Sequence, residues 1–173
     1  MALGVLAYPT LHDQDFELIQ SFRKDHDELY YQVVHPHFAF VFPMDTCQKG
    51  EFLLEVAEKA QGFSPIHFNI RCATINKDSF LDYYHLLLVP DEGYSQVVKL
   101  HDSLYSGLFF PELRLDIDFI PHLGIANSKD KFLVKKWADQ WNARDFTIKG
   151  SIDKLTVIEY DGKKLIDLKD ISL

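Results

Sequence analysis

Little in this sequence would staple it together, anchor it in a membrane or draw it along a nucleic-acid backbone. Cysteine occurs only at Cys47 and Cys72. Two thiols without a CxxC spacing make neither a disulfide framework nor a zinc ribbon, so the expectation is a pair of reduced thiols in a cytoplasmic protein. No apolar run approaches the ~18–20 residues of a membrane span. The stretch 1–7 lacks the basic flank of a signal peptide and reads as a first strand closed by Pro9. Positive charge is scarce as well: 18 Lys and Arg face 26 Asp and Glu, for a formal net charge of −8. A long duplex demands many phosphate-neutralising side chains and is not expected as a partner. A short nucleotide or a strand end, which needs only one local pocket, is easier to reconcile with that charge. P-loop, GxGxxG and GxSxG patterns are all missing.

What is present is an ordinary globular composition, 47% apolar, with 14 Phe and 8 Tyr to bury. The apolar run 4–8 predicts a strand. Thr10 is a helix cap by pattern, and Phe16, Ile19, Phe22 and His26 recur at helical spacing. Residues 33–42 are β-branched and aromatic and predict a second strand. Asp45 or Thr46 would start the next helix, Gly62 would end it, and 66–75 reads as a third strand. The same order then begins again: a strand at 83–89, a helix at 95–106, a strand at 116–126, and a helix from Asn127 or Ser128 with Trp137 and Trp141 inward. A terminal hairpin turns at Asp161-Gly162. This predicts an α/β (α+β) protein, one bilobal domain over residues 1–173 with lobes near 1–78 and 79–173. Each lobe is an antiparallel-type sheet with helices on its outer face, and the two pseudo-symmetric lobes enclose a central cleft.

One dipeptide repeats at equivalent places. Pro36-His37 falls in the second strand of the first half and Pro121-His122 in the second strand of the second half. Strand alternation puts His37, Ala39 and Val41 on one face, with Phe38, Phe40 and Phe42 turned to a core. It likewise groups His122 with Gly124 and Ala126, against Leu123 and Ile125. Each imidazole thus stands beside a very small residue, which leaves room for a ligand. Two imidazoles across a cleft suit general acid–base chemistry near neutral pH. A single strand histidine is more often a structural residue; the matched pair is what favours function.

The stretches Pro36-His37-Phe38-Ala39-Phe40-Val41-Phe42-Pro43 and Pro121-His122-Leu123-Gly124-Ile125 resemble the paired His-x-Thr/Ser-x motifs of the 2H phosphoesterase superfamily, in particular its 2′-5′ RNA ligase-like members. The resemblance in element order extends over nearly the whole chain. It implies a bilobal fold, chemistry on 2′,3′-cyclic or 2′-5′-linked phosphates with no metal and no cofactor, and His37 and His122 as acid and base. The partner it implies is a nucleotide or short RNA end. Ala39 and Gly124 stand where the pattern has hydroxyls that bond phosphate oxygens, so a module that binds without turnover is the alternative, and a protein-interaction domain with a dry cleft a third. Gly124 could offer a backbone N–H to the phosphate.

Further candidates are Arg71, on the polar face of 66–75 with His67 and Asn69, as a bidentate phosphate ligand, and His35, on the His37 face, at the edge of the substrate site. His35, His37 and His122 together could hold a metal, but no carboxylate or thiol is placed to complete such a site. Tyr83 and Tyr84 are candidates to stack on a base.

Overall fold

The computed structural model describes all 173 residues. In chain order the elements are β1 (Ala2–Ala7), β2 (Thr10–Leu11), α1 (Asp13–His26), β3 (Phe38–Met44), α2 (Lys49–Ala60), β4 (Ile66–Lys77), β5 (Tyr84–Glu92) and α3 (Tyr94–Leu104). A 3-10 turn at Phe110–Glu112 follows, then β6 (Leu123–Ser128), α4 (Lys131–Asn142), β7 (Ile148–Ile152), β8 (Lys154–Tyr160) and β9 (Leu165–Ser172). The strands form two sheets, β3-β1-β8-β9 and β2-β7-β4-β5-β6, in which every neighbouring pair is antiparallel. Helix α2 packs against α3 and the first sheet, α1 and α4 pack on the second, and α3 touches β3 of the first sheet and β4 and β5 of the second. No helix is long and apolar enough to cross a membrane.

The two-lobed antiparallel architecture is as expected, but the lobes are not the halves 1–78 and 79–173. β8 and β9, from the end of the chain, complete the sheet begun by β1 and β3, whereas β2 and β4, from the first half, lie in the other sheet. The cause is the strand β7, absent from the sequence reading. It pairs with β4 through Ile66↔Ile152 to Ile70↔Ile148, and its other edge takes Thr10 and Leu11. Thr10 therefore does not cap α1: it is in β2, with its hydroxyl donating to Asp153 at 2.7 Å. His12 takes the cap and accepts from the Gln14 N–H at 3.3 Å. Asp13 and Asp15 at the start of α1, and Arg23, Lys24 and His26 at its end, suit the helix dipole.

Other boundaries moved for local reasons. α4 starts after Asp130, whose carboxylate accepts from the N–H groups of Phe132 (2.9 Å) and Leu133 (3.3 Å), because β6 runs on through Asn127 and Ser128. α2 starts after Gln48, with its N–H donating to Glu51 at 3.4 Å. Gly62 does end α2, at φ +85°. Gly93 links β5 to α3 at the same φ, where a Cβ would lie 2.5 Å from the His67 carbonyl oxygen. Trp137 and Trp141 are buried, as expected.

The region 27–37 is not strand, although 33–42 reads as one. It is a looping segment that crosses from α1 to β3, held by a buried ion pair. Arg23 and Asp27, 1% and 5% exposed, lie one turn apart on α1 and its C-cap, and the Arg23 Nε donates to Asp27 at 2.9 Å. The same guanidinium donates to the Val34 carbonyl (2.8 Å) and to Gln20 (2.9 Å). Asp27 also accepts from the Tyr30 N–H (3.0 Å) and from Asn127 Nδ2 (2.5 Å), and a β-bridge joins Asp27 to Asn127 of β6. Removing one partner leaves an unpaired buried charge. Asp27→Ala is therefore expected to lower the unfolding free energy by about 3–5 kcal/mol, read from urea denaturation; a loss below about 1 kcal/mol would show that the network does not anchor the segment.

Candidate active site

His37 and His122 each sit one residue ahead of a strand, β3 and β6 respectively, and each follows a buried proline. The expectation that both lie inside strands is corrected in the same way on both sides: β3 begins at Phe38 and β6 at Leu123, and residues 116–122 are loop and turn. At these strand mouths both rings are held alike. His37 Nδ1 lies 2.8 Å from the His35 carbonyl oxygen, and His122 Nδ1 lies 2.5 Å from that of Ile120. A carbonyl only accepts, so each Nδ1 carries the proton and each Nε2 is left as the reactive lone pair. The device is a backbone carbonyl two residues upstream, made available because the proline between cannot continue a strand ladder on its N–H side.

Burial sets the proton affinity. Desolvation takes the His37 pKa from its ordinary 6.5 down to about 4 against an opposing pull from the His35 carbonyl, with the charges of His122 and Arg23 lowering it further. His122 is lowered by burial, opposed by the Ile120 carbonyl, and lowered again by His85. Both rings are partly exposed, so their Nε2 atoms are not sealed in the core.

The surroundings depart from simple alternation. Ala39 is half-exposed beside His37, with Phe38 and Phe40 buried behind it, as expected. Phe42, expected in the core, is 44% exposed while Val41 is buried. Bulges in β3, opposite Val5 of β1, shift the β1–β3 register there, and the freed Phe42 N–H is taken by the Tyr105 hydroxyl at 3.1 Å. On β6 a register shift between the pairs Leu86↔Ala126 and Leu87↔Gly124 sends Ala126 into the core, not to the His122 face. Gly124 keeps the open face: a Cβ there would meet nothing within 4 Å.

Two candidates are turned elsewhere. The Arg71 guanidinium is filled by Asp91 (2.7 Å) and Glu92 (2.5 Å), so its fork is not available to a phosphate as it stands. The His35 ring faces α1, with Nδ1 3.3 Å from Gln20 Nε2 and Phe16 alongside; it serves His37 through its carbonyl. Tyr83 and Tyr84 are also engaged, Tyr83 with Glu28 and Lys129, Tyr84 under Lys77.

Sequence reasoning missed other residues because only register reveals them. The β1–β3 pairing Leu6↔Ala39, Ala7↔Phe38 carries on to set Tyr8 beside His37. Their rings meet edge to face at 6.5 Å, and the Tyr8 hydroxyl donates to Asp167 of β9 at 3.0 Å. Burial, and then Asp167, push the Tyr8 pKa well up, so it stays a phenol. His85 of β5 shares the Leu87–Gly124 face and binds Asp78 through Nε2 at 2.7 Å, with Tyr30 stacked on its ring. Further along, Phe42, Phe80, Arg114, Ile117 and Tyr160 border a cavity of about 600 Å³ between strands of the first sheet, the β4–β5 connection and the loop before β6.

Residues 9–164 match the sequence profile of a family described as the 2′-5′ RNA ligase superfamily. No curated protein matches the chain significantly. Among solved structures, TT0787 of Thermus thermophilus superposes with a TM-score of 0.65 at 12% identity, covering 100% of this chain and 98% of that one. E. coli LigT complexed with NADP+ gives 0.55 at 13% identity, over 99% and 97%. Kluyveromyces marxianus Usb1 with uridine monophosphate gives 0.53 at 9% identity, over 99% of each chain. At these identities the likeness is one of fold.

A titration follows from the His37 environment. The folded-state value lies below the ordinary one, so between pH 6.5 and about 4 the unfolded chain binds the proton more readily, and stability is lost as pH falls through that window. His37→Gln is expected to lose roughly 1–3 kcal/mol less stability than the unaltered protein between pH 7 and 4.5, measured by urea unfolding at both pH values. Equal losses would place the ring in water.

Proposed function

Because the chain belongs to the 2′-5′ RNA ligase superfamily, we propose that it is a phosphodiesterase acting on a 2′,3′-cyclic phosphate or a 2′-5′-linked nucleotide or RNA end, with His37 and His122 as its acid and base. The observation that supports this most is the matched anchoring of the two rings, each with Nδ1–H spent on a carbonyl and Nε2 free. One Nε2 takes a proton from the attacking water as its oxygen bonds phosphorus. The other donates a proton to the ribose oxygen as the P–O bond breaks, which leaves a phosphomonoester. Burial disfavours the imidazolium form of both rings. A bound phosphate restores it on one of them, because an adjacent anion favours the charged ring. The acid is thus armed only when substrate is present.

The specific expectation is hydrolysis of a 2′,3′-cyclic nucleotide to a nucleoside monophosphate, with His37→Ala and His122→Ala each losing about 10²–10⁴ in kcat. Unchanged turnover in both variants would sink the mechanism.

A second reading, binding without turnover, is favoured by the missing hydroxyls at Ala39 and Gly124. The open space over Gly124 makes the restoration clean. Gly124→Ser is expected to leave stability within about 0.5 kcal/mol, and the double variant Ala39→Thr/Gly124→Ser to turn over the cyclic nucleotide faster than the unaltered chain. A chain inert before substitution and active after it would identify the natural protein as the binder.

A further inference from the structure

We propose that His85, held by Asp78, is the anion-binding residue of this groove and contacts the phosphate of a nucleotide ligand through Nδ1. The inference rests on the phosphoester reading above and extends it to a residue that lies in neither Pro-His stretch.

The groove needs such a group. Neither Ala39 nor Gly124 can donate a side-chain hydrogen bond beside the imidazoles, and the chain as a whole is acidic. The arginines on this side of the molecule are already committed. Arg71 pairs with Asp91 and Glu92, and Arg114 at the cavity rim pairs with Asp116 through two bonds of 2.8 and 2.6 Å. His85 is placed differently. It lies two residues before Leu87, the cross-strand partner of Gly124, and so looks out on the same face of the sheet as the open space over that glycine. Its influence on the proton affinity of His122 also sets it near the candidate reaction centre.

Its mounting is built. Nε2 bonds Asp78 at 2.7 Å, with the two side chains 15% and 12% exposed. Asp78 is itself fixed by the N–H groups of Phe80 (2.7 Å) and Leu81 (2.6 Å). Burial alone would raise the Asp78 pKa, but those two N–H groups and His85 outweigh it and hold the carboxyl below the usual range, as an anion. The Tyr30 ring stacks on the imidazole at 6.3 Å, and Tyr30 is tied back to Asp27 by its own N–H. The groups facing His85 are therefore Asp78 from the β4–β5 connection, Tyr30 from the 27–37 segment, Asn127 across the ladder on β6, Asn76 across it on β4, and His122 farther along. Nδ1 has no partner within the chain. This is the reverse of His37 and His122, where Nδ1 is anchored and Nε2 is free.

The proton count of the contact is simple. Nδ1 and one phosphate oxygen share a single proton. It arrives either on the ring, with a phosphate dianion, or on the phosphate, with a neutral ring, and the complex is the same.

Calorimetry with uridine monophosphate and with uridine distinguishes a phosphate contact from a contact to base or sugar. For the unaltered protein we expect tighter binding of the monophosphate. His85→Phe keeps a ring against Tyr30; it should weaken monophosphate binding at least tenfold and leave uridine binding unchanged. Asp78→Asn should weaken it by a smaller factor. If His85→Phe does not fold, His85→Gln carries the same comparison. Monophosphate binding within twofold of the unaltered protein overturns the proposal, as does an equal loss for both ligands. An unaltered protein that binds neither ligand, or shows no preference for the monophosphate, overturns the phosphoester reading along with it. A preference in His85→Phe as large as that of the unaltered protein overturns the His85 assignment alone.

Discussion

The buried contact of Arg23 with Asp27 is what the rest of the site depends on. Without it, residues 27–37 would be an eleven-residue crossing with no sheet or helix of its own. The guanidinium fixes the Val34 carbonyl one residue from the group that orients His37, and the carboxylate fixes Asn127 on the strand that follows His122. A charge pair at this depth costs desolvation, and that cost is met only because every arm of the fork finds an acceptor. One interaction thus references both histidines to the same helix. Asn127 Oδ1 remains without a partner, the one loose end of the arrangement.

From that frame the two imidazoles inherit matching environments. Each follows a buried proline, precedes a strand and is oriented by the carbonyl two residues back. The likeness is one of backbone path more than of residue identity, since Ala39 and Gly124 differ and the flanking loops differ in length. The environments part company in their neighbours: Tyr8 beside His37, His85 toward His122. Under the proposed acid–base chemistry, unlike surroundings would give the two rings different tasks, since unequal neighbours separate their proton affinities.

The parts legible in the sequence were those written in local periodicity. Alternation in 66–75 located β4, the apolar run before Pro90 located β5, helical spacing located all four helices, Asp161-Gly162 marked the last hairpin, and the repeated Pro-His marked the candidate site. What escaped was long-range. Ile148–Ile152 is too short and too polar, with Lys149, Gly150 and Ser151 in its middle, to declare itself a strand, yet it joins β2 to β4 and so decides the lobe membership. Residues 33–35 have strand propensity but are overruled by Arg23. The bulges that expose Phe42 and bury Ala126 arise from pairing between distant segments, and so do the positions of Tyr8 and His85. Arg71 looked free because Asp91 and Glu92, which fill its fork, lie on the neighbouring strand.

The placement of β1 between β3 and β8 also bears on how the molecule comes into being. β1 precedes the other strands of both sheets in the chain, and one of its two ladders, Ala2↔Tyr160 to Leu6↔Thr156, waits for a segment some 150 residues later. Until then an apolar strand has one open edge, the kind of surface that invites pairing with the wrong chain. Pairings of such sequence separation close slowly, because loop entropy is spent before any contact repays it. Tyr8, whose hydroxyl is caught by Asp167 on the still later β9, settles only in the final step. A nascent chain would therefore complete the surroundings of His37 only after β8 and β9 have been made, and until then the open edge of β1 is the part of this sheet most in need of shielding.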